Sequence, residues 1–232
     1  MERKIMLTVI YEDNSLLVIY KPAGLAVQNA SFGKKDLESM VKTYLYEKTG
    51  QANPYLGIIH RLDQPVQGLV VFARDKKSAA SLSAQVTDGR MKKYYQAVVC
   101  EKPSQKEGTL VHYLKKDGRN NISAVVSEKE KDAKKAMLHY KVAEEQKAVT
   151  FISEGKEKLS LLEIELFTGR HHQIRVQLSA EGFPIYGDQK YNAKAQKGEQ
   201  LALCASRLVL QHPVTGKQME FTCEPKFRFG QV

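Results

Sequence analysis

One aspartate in this sequence has an unusual setting. Asp63 follows His60, Arg61 and Leu62, precedes Gln64 and Pro65, and stands just ahead of an apolar run that ends at Ala73. An Asp near a Pro is often just a turn residue, because its side chain bonds to nearby backbone groups. A carboxylate held ionised beside a dry apolar run could instead serve as a nucleophile or a base. A second cluster, Thr168-Gly169-Arg170-His171-His172-Gln173-Ile174-Arg175, favours chemistry. Its donors are expected to crowd the first two turns of a helix, where backbone N–H groups already attract anions. Positions 171 and 175, or 172 and 175, then share one helix face. Ile174, Val176 and Leu178 interleave the cations, so part of the cluster must approach the core, and a partly buried Arg needs an acid. Asp63 is the candidate acid for such an Arg, a pairing that would keep the carboxylate charged. Tyr94 and Tyr95 follow Lys92 and Lys93 on a strand-like period of two, and beside a basic surface one such ring can stack on a base.

Other chemistries lack their residues. No HExxH or CxxC accompanies the six histidines, and the adjacent His171 and His172 would point about 100° apart on a helix, so no metal is expected. Nucleophile-elbow, dinucleotide and P-loop glycine patterns are absent, and no cofactor is expected. Cys100, Cys204 and Cys223 are odd in number and read as reduced packing residues. No apolar run nears the roughly 18 residues of a membrane span, and the start lacks a signal pattern, so a cytoplasmic protein is expected. Lys and Arg total 36 against 26 Asp and Glu, a net charge of +10, which points to a phosphate-rich polymer and to nucleic acid over membrane.

These residues need a frame. With 42% hydrophobic residues the 232-residue chain can bury a large core, and with no long linker it reads as a single domain over 1–232. Leu7 to Lys21 reads as two strands about the turn at 12–15, broken by Lys21-Pro22-Ala23-Gly24. Asp36 caps a helix to about Thr49, which Gly50 ends. Gly68–Arg74 is a strand, Asp75–Asp88 a helix and Lys93–Cys100 a strand. Further strands are expected at Thr109–Leu114, Ile122–Val126, Ala136–Ala143, Ala148–Ile152 and Leu159–Phe167, with a hairpin turn at 117–121. A helical pattern after Gly169 runs through Ala180, and strands at Leu201–Leu210 and Gln218–Cys223 flank a last turn. The class is α+β, sheet-dominated, with few helices.

Taken together, the residues resemble the RluA family of RNA pseudouridine synthases, in the branch without an appended S4 RNA-binding domain. The resemblance rests on five blocks in order: YEDNSLLVIYKPAGLAV (11–27), GIIHRLDQPVQGLVVFARD (57–75), KKYYQAVV (92–99), LFTGRHHQIRVQLSAEGFPIYGDQKY (166–191) and LVLQHPVTGKQMEF (208–221). It implies a mixed, mostly antiparallel sheet with a few flanking helices and a central RNA-binding cleft. It implies that Asp63 is the catalytic aspartate, that Arg175 pairs with it, and that Tyr95 packs on a flipped-out base. Arg61 would enter the RNA stack and Ile174 would lie beneath the base. His60, Lys21, Arg170, His172 and Gln173 complete the substrate-binding set. The implied reaction is isomerisation of uridine in ribosomal or transfer RNA by a monomer. The alternative is an inactive RNA-binding protein on the same scaffold. Two departures stand out: Gln64-Pro65-Val66-Gln67 replaces the usual segment after the aspartate, and Gln177 stands where His is usual.

Overall fold

The computed structural model describes residues 7–28, 35–143 and 159–229. It divides into two compact units interleaved in sequence, Met1–Lys92 with Ala205–Glu224, and Lys93–Cys204 with Pro225–Val232. The fold class is α+β, as expected, with eleven strands and three helices among the described residues.

The first unit holds β1 (Thr8–Glu12), β2 (Leu16–Lys21), α1 (Leu37–Thr49), β3 (Gly57–Ile58), β4 (Gln67–Ala73) and α2 (Lys76–Thr87). It also takes most of β10 (Leu203–Gln211) and all of β11 (Gln218–Thr222). Its strands run in the order β1-β2-β4-β10-β11, with β3 added beside β4. All six residues of β2 and all seven of β4 are buried, which is why both read as unbroken apolar runs and lack the alternation of a half-exposed strand. Leu16, Val18, Leu69, Val71, Leu82, Leu208, Leu210 and Phe221 make a shared core.

Caps fix the helices. The Asp36 carboxylate accepts from Ser39 N–H at 2.8 Å while Ser39 Oγ receives the Asp36 N–H, and Gly50 closes α1 at φ 71°, a left-handed conformation that favours glycine. Asp75 caps α2 in the same way from Ser78 N–H.

The second unit holds β5 (Lys92–Cys100), β6 (Glu107–Asp117), β7 (Ile122–Val126), β8 (Lys134–Val142), β9 (Leu159–Leu166) and α3 (Gln173–Ala180). The order is β5-β9-β8-β6-β7, every neighbour antiparallel. The strand expected at Ala148–Ile152 lies outside the described residues. β6 exceeds its expected span because it pairs with β8 over 107–114 and with β7 over 113–117. Leu114, Ala136 and Val176 anchor α3 to this sheet.

The start of α3 departs from expectation. Residues 168–172 are not its first turns: helix begins at Gln173, and His172 before it is left-handed at φ 54° with no side-chain cap. Gln173 Oε1 accepts the Arg170 N–H at 3.0 Å, which folds the chain back into a turn before the helix starts.

Candidate active site

The candidate residues fall into two groups, one in each unit. In the first unit, antiparallel pairing of β2 with β4 sets Lys21 opposite Gly68, so the end of β2 lies beside the loop that leads into β4. That loop carries His60, Arg61 and Asp63. Asp63 is half-buried, and its backbone carbonyl closes a turn by accepting Val66 N–H at 3.0 Å. Arg61 is exposed and makes no hydrogen bond or ion pair among the described residues. His60 Nε2 accepts the Val71 N–H at 3.2 Å, which fixes the ring against β4 and requires that nitrogen to be unprotonated.

Lys21 is not at the substrate edge where it was expected. Its side chain is fully buried, and Nζ donates to the carbonyls of Leu25 at 2.7 Å and of Pro22 and Gln64 at 3.1 Å. An ammonium bonded on three sides inside the protein has no face left for a ligand. It ties the Pro22–Leu25 turn to the Asp63 loop. Gln64 adds to the tie, because its carbonyl also accepts Gly24 N–H at 2.9 Å and its Nε2 donates to Gly24 O at 3.0 Å. The Gln64 departure noted in the sequence is thus a second stitch between these turns. Tyr20 Oη donates to Gln67 Oε1 at 2.6 Å, which gives the other replaced residue a buried partner. Burial pushes the Lys21 ammonium down to about 7, against a smaller raising effect of the Asp63 carboxylate.

In the second unit Tyr95 is buried on β5, opposite Ile164 of β9. Ile174 and Arg175 are buried on α3. Arg175 has an acid that the sequence reading did not name: Asp188, fully buried, accepts from Nε at 2.8 Å and from Nη2 at 2.7 Å. Asp188 Oδ1 also accepts the N–H groups of Lys190 and Tyr191. This bidentate geometry fits a planar guanidinium, and the extra donors satisfy the carboxylate's remaining lone pairs. The Arg175 guanidinium lies 5.1 Å from the centre of the Tyr191 ring, within cation–π range. Tyr191 Oη meets His172 Nδ1 at 2.7 Å and accepts Ser123 N–H at 2.7 Å, while the His171 ring stacks on His172 at 3.8 Å.

Gln173 is buried, whereas Arg170 is exposed with Nε on the Lys135 carbonyl at 2.9 Å. Lys93 is another residue the sequence reading passed over. It is half-buried, with Nζ 3.6 Å from where a side chain on Gly169 would begin, and burial lowers its pKa. Lys93 stood in a quoted block, and so did Asp188, but nothing in their spacing marks either as buried. Among the described residues no group of three or more His, Cys, Asp or Glu could hold a metal ion, and no helix is long and apolar enough to cross a membrane.

Residues 15–180 match the RNA pseudouridylate synthase family, and the chain belongs to that family. It is 34% identical over 217 residues to the uncharacterized RNA pseudouridine synthase YhcT of Bacillus subtilis, covering 90% of this chain and 65% of that protein. The chain thus spans just under two thirds of that relative's length. It is 28% identical over 227 residues to the dual-specificity RNA pseudouridine synthase RluA of Haemophilus influenzae, covering 95% and 94% of the two chains. The fold is shared with human RNA pseudouridylate synthase domain containing 1, at 21% identity and a TM-score of 0.75 over 97% of this chain and 86% of that one.

Proposed function

We propose that this chain isomerises uridine to pseudouridine in ribosomal or transfer RNA, with Asp63 as its catalytic aspartate. The family match carries the reading, because its span of residues 15–180 includes Asp63, Tyr95 and the segment from Arg170 to Arg175. The name of a Zymomonas mobilis relative at 32% identity, a ribosomal large subunit pseudouridine synthase, supports ribosomal RNA as a substrate, and another relative is named a dual-specificity enzyme.

The reaction breaks the N1–C1′ bond, turns the uracil, and joins C5 to the same sugar carbon. The C5 proton is lost and N1 gains one, with nothing oxidised or hydrolysed. The target base must leave its stack, which costs a few kcal/mol. In this reading Arg61, exposed and unpaired among the described residues, fills the gap in the RNA, and Tyr95 packs on the extruded ring. Asp63 acts as a carboxylate, at the sugar carbon or at the base ring. Ile174 and Leu62 help keep water from the opened sugar, where it would leave an abasic site. Arg170, His172 and Gln173 serve the RNA backbone. Lys21 and His60 act through the loop they brace. The same reading has the protein work as a cytoplasmic monomer without metal or cofactor.

Tritium release tests it. Wild-type chain should release tritium from RNA made with 5-tritiated uridine, and Asp63→Asn should abolish release while RNA affinity changes by less than about tenfold. Undiminished release by the variant would remove Asp63 from the mechanism. The inactive alternative predicts no release from either protein.

A further inference from the structure

Gln177, the second departure noted in the sequence, lies at the centre of a buried chain of amides in the second unit. It is fully buried on α3. Its Nε2 faces the carbonyls of Leu110 at 3.3 Å and Ala136 at 3.4 Å, and His112 Nδ1 at 3.1 Å. Two backbone acceptors on one atom settle which end of the amide is nitrogen, and turning it over would set oxygen against oxygen. Gln177 Oε1 must then accept, and it does so from Gln173 Nε2 at 2.9 Å. Gln173 Nε2 spends its second hydrogen on Met137 O at 3.1 Å. Gln173 Oε1 in turn accepts the Thr168 hydroxyl at 2.7 Å and the Arg170 N–H at 3.0 Å.

Met137 O and the Arg170 N–H hold the Gln173 amide the same way round as Gln177 does, and the chain terminates at the turn that carries Arg170. Arg170 is held twice, by its N–H on Gln173 and by its Nε on Lys135 O. Its two Nη groups make no hydrogen bond or ion pair among the described residues. A long cation fixed at its base and open at its tip has met much of its ordering cost before a phosphate arrives. His112 closes the far end, with Nε2 3.0 Å from Glu181 Oε1.

We propose that Gln177 is a positioning residue for RNA binding, acting through Gln173 to aim Arg170 at the RNA backbone. This rests on the reading above, in which Arg170 belongs to the substrate-binding set. Merely structural packing would not link Gln177 to Arg170 in particular.

The test is a double-mutant cycle with Gln177→Met and Arg170→Met, read on tritium release from large-subunit ribosomal RNA and bulk transfer RNA made with 5-tritiated uridine. Each single variant should raise KM about tenfold with kcat at saturating RNA within about twofold of wild type. Each should flatten the slope of log affinity against log salt by roughly 0.7–0.9, the loss of one phosphate contact. The double variant should be no worse than Arg170→Met alone. Additive losses, a fall in kcat at unchanged KM, or an unchanged salt slope in Gln177→Met would overturn the proposal. Should Gln177→Met fail to fold, Gln173→Met cuts the same chain between Gln177 and Arg170, and the same outcomes decide. If wild-type chain releases no tritium, the pseudouridine reading fails. The cycle read on equilibrium affinity for the same RNAs then still decides whether Gln177 acts through Arg170.

Discussion

Lys21 is a buried lysine that ties two turns together through three backbone carbonyls. With a pKa near 7 in the folded protein and the ordinary value of 10.5 in the unfolded chain, the unfolded state binds more protons between those two values. Stability should therefore rise with pH through that window, by at most roughly 1.4 kcal/mol per unit. It is lost again as pH falls toward 7. Urea titrations of wild type and Lys21→Met between about pH 7.5 and 10 isolate this contribution, and the variant should lose that part of the rise. Equal pH slopes in the two proteins would mean that Lys21 titrates normally. The sequence disclosed that Lys21 matters, since it begins the Lys-Pro block, but not how. A lysine is ordinarily exposed, and the convergence of three carbonyls on its Nζ depends on two turns more than forty positions apart in sequence. Asp188 was hidden for a related reason. In Tyr-Gly-Asp-Gln-Lys it reads as a turn residue, and only the fold shows the buried guanidinium it neutralises.

At the scale of elements, Gly68 is a point of close backbone approach. Its φ is +121°, and a Cβ placed there would lie 2.4 Å from Ala205 O and 2.5 Å from Ala205 N, a collision with the backbone of β10. Gly68→Ala should destabilise the protein by at least about 2 kcal/mol, seen as a lower urea midpoint. A midpoint unchanged by the substitution would mean that β4 and β10 can part without cost. Most elements were legible beforehand because caps and periodicity are local: Asp36, Gly50 and Asp75 sit at the helix ends they announced. The start of α3 was misjudged because Gln173, a good helix former, spends its side chain on the preceding turn. That choice is made by contacts with Met137 on β8, which no window around residue 173 contains.

For the whole molecule, charge is the property read most directly from composition. With a net charge of +10, RNA affinity should fall at least about tenfold between 50 and 200 mM salt, measured by filter binding. A flat response would set the basic excess apart from the RNA. Composition could not show the division into two units, because the chain leaves the first at residue 92 and returns to it at 205. That return has a bearing on synthesis. β4 is buried along its whole length, yet its neighbour β10 is made more than 120 residues later, so on the ribosome an apolar strand waits for its partner while the second unit emerges. A nascent chain stalled before residue 203 offers chaperones and like strands an unfinished sheet.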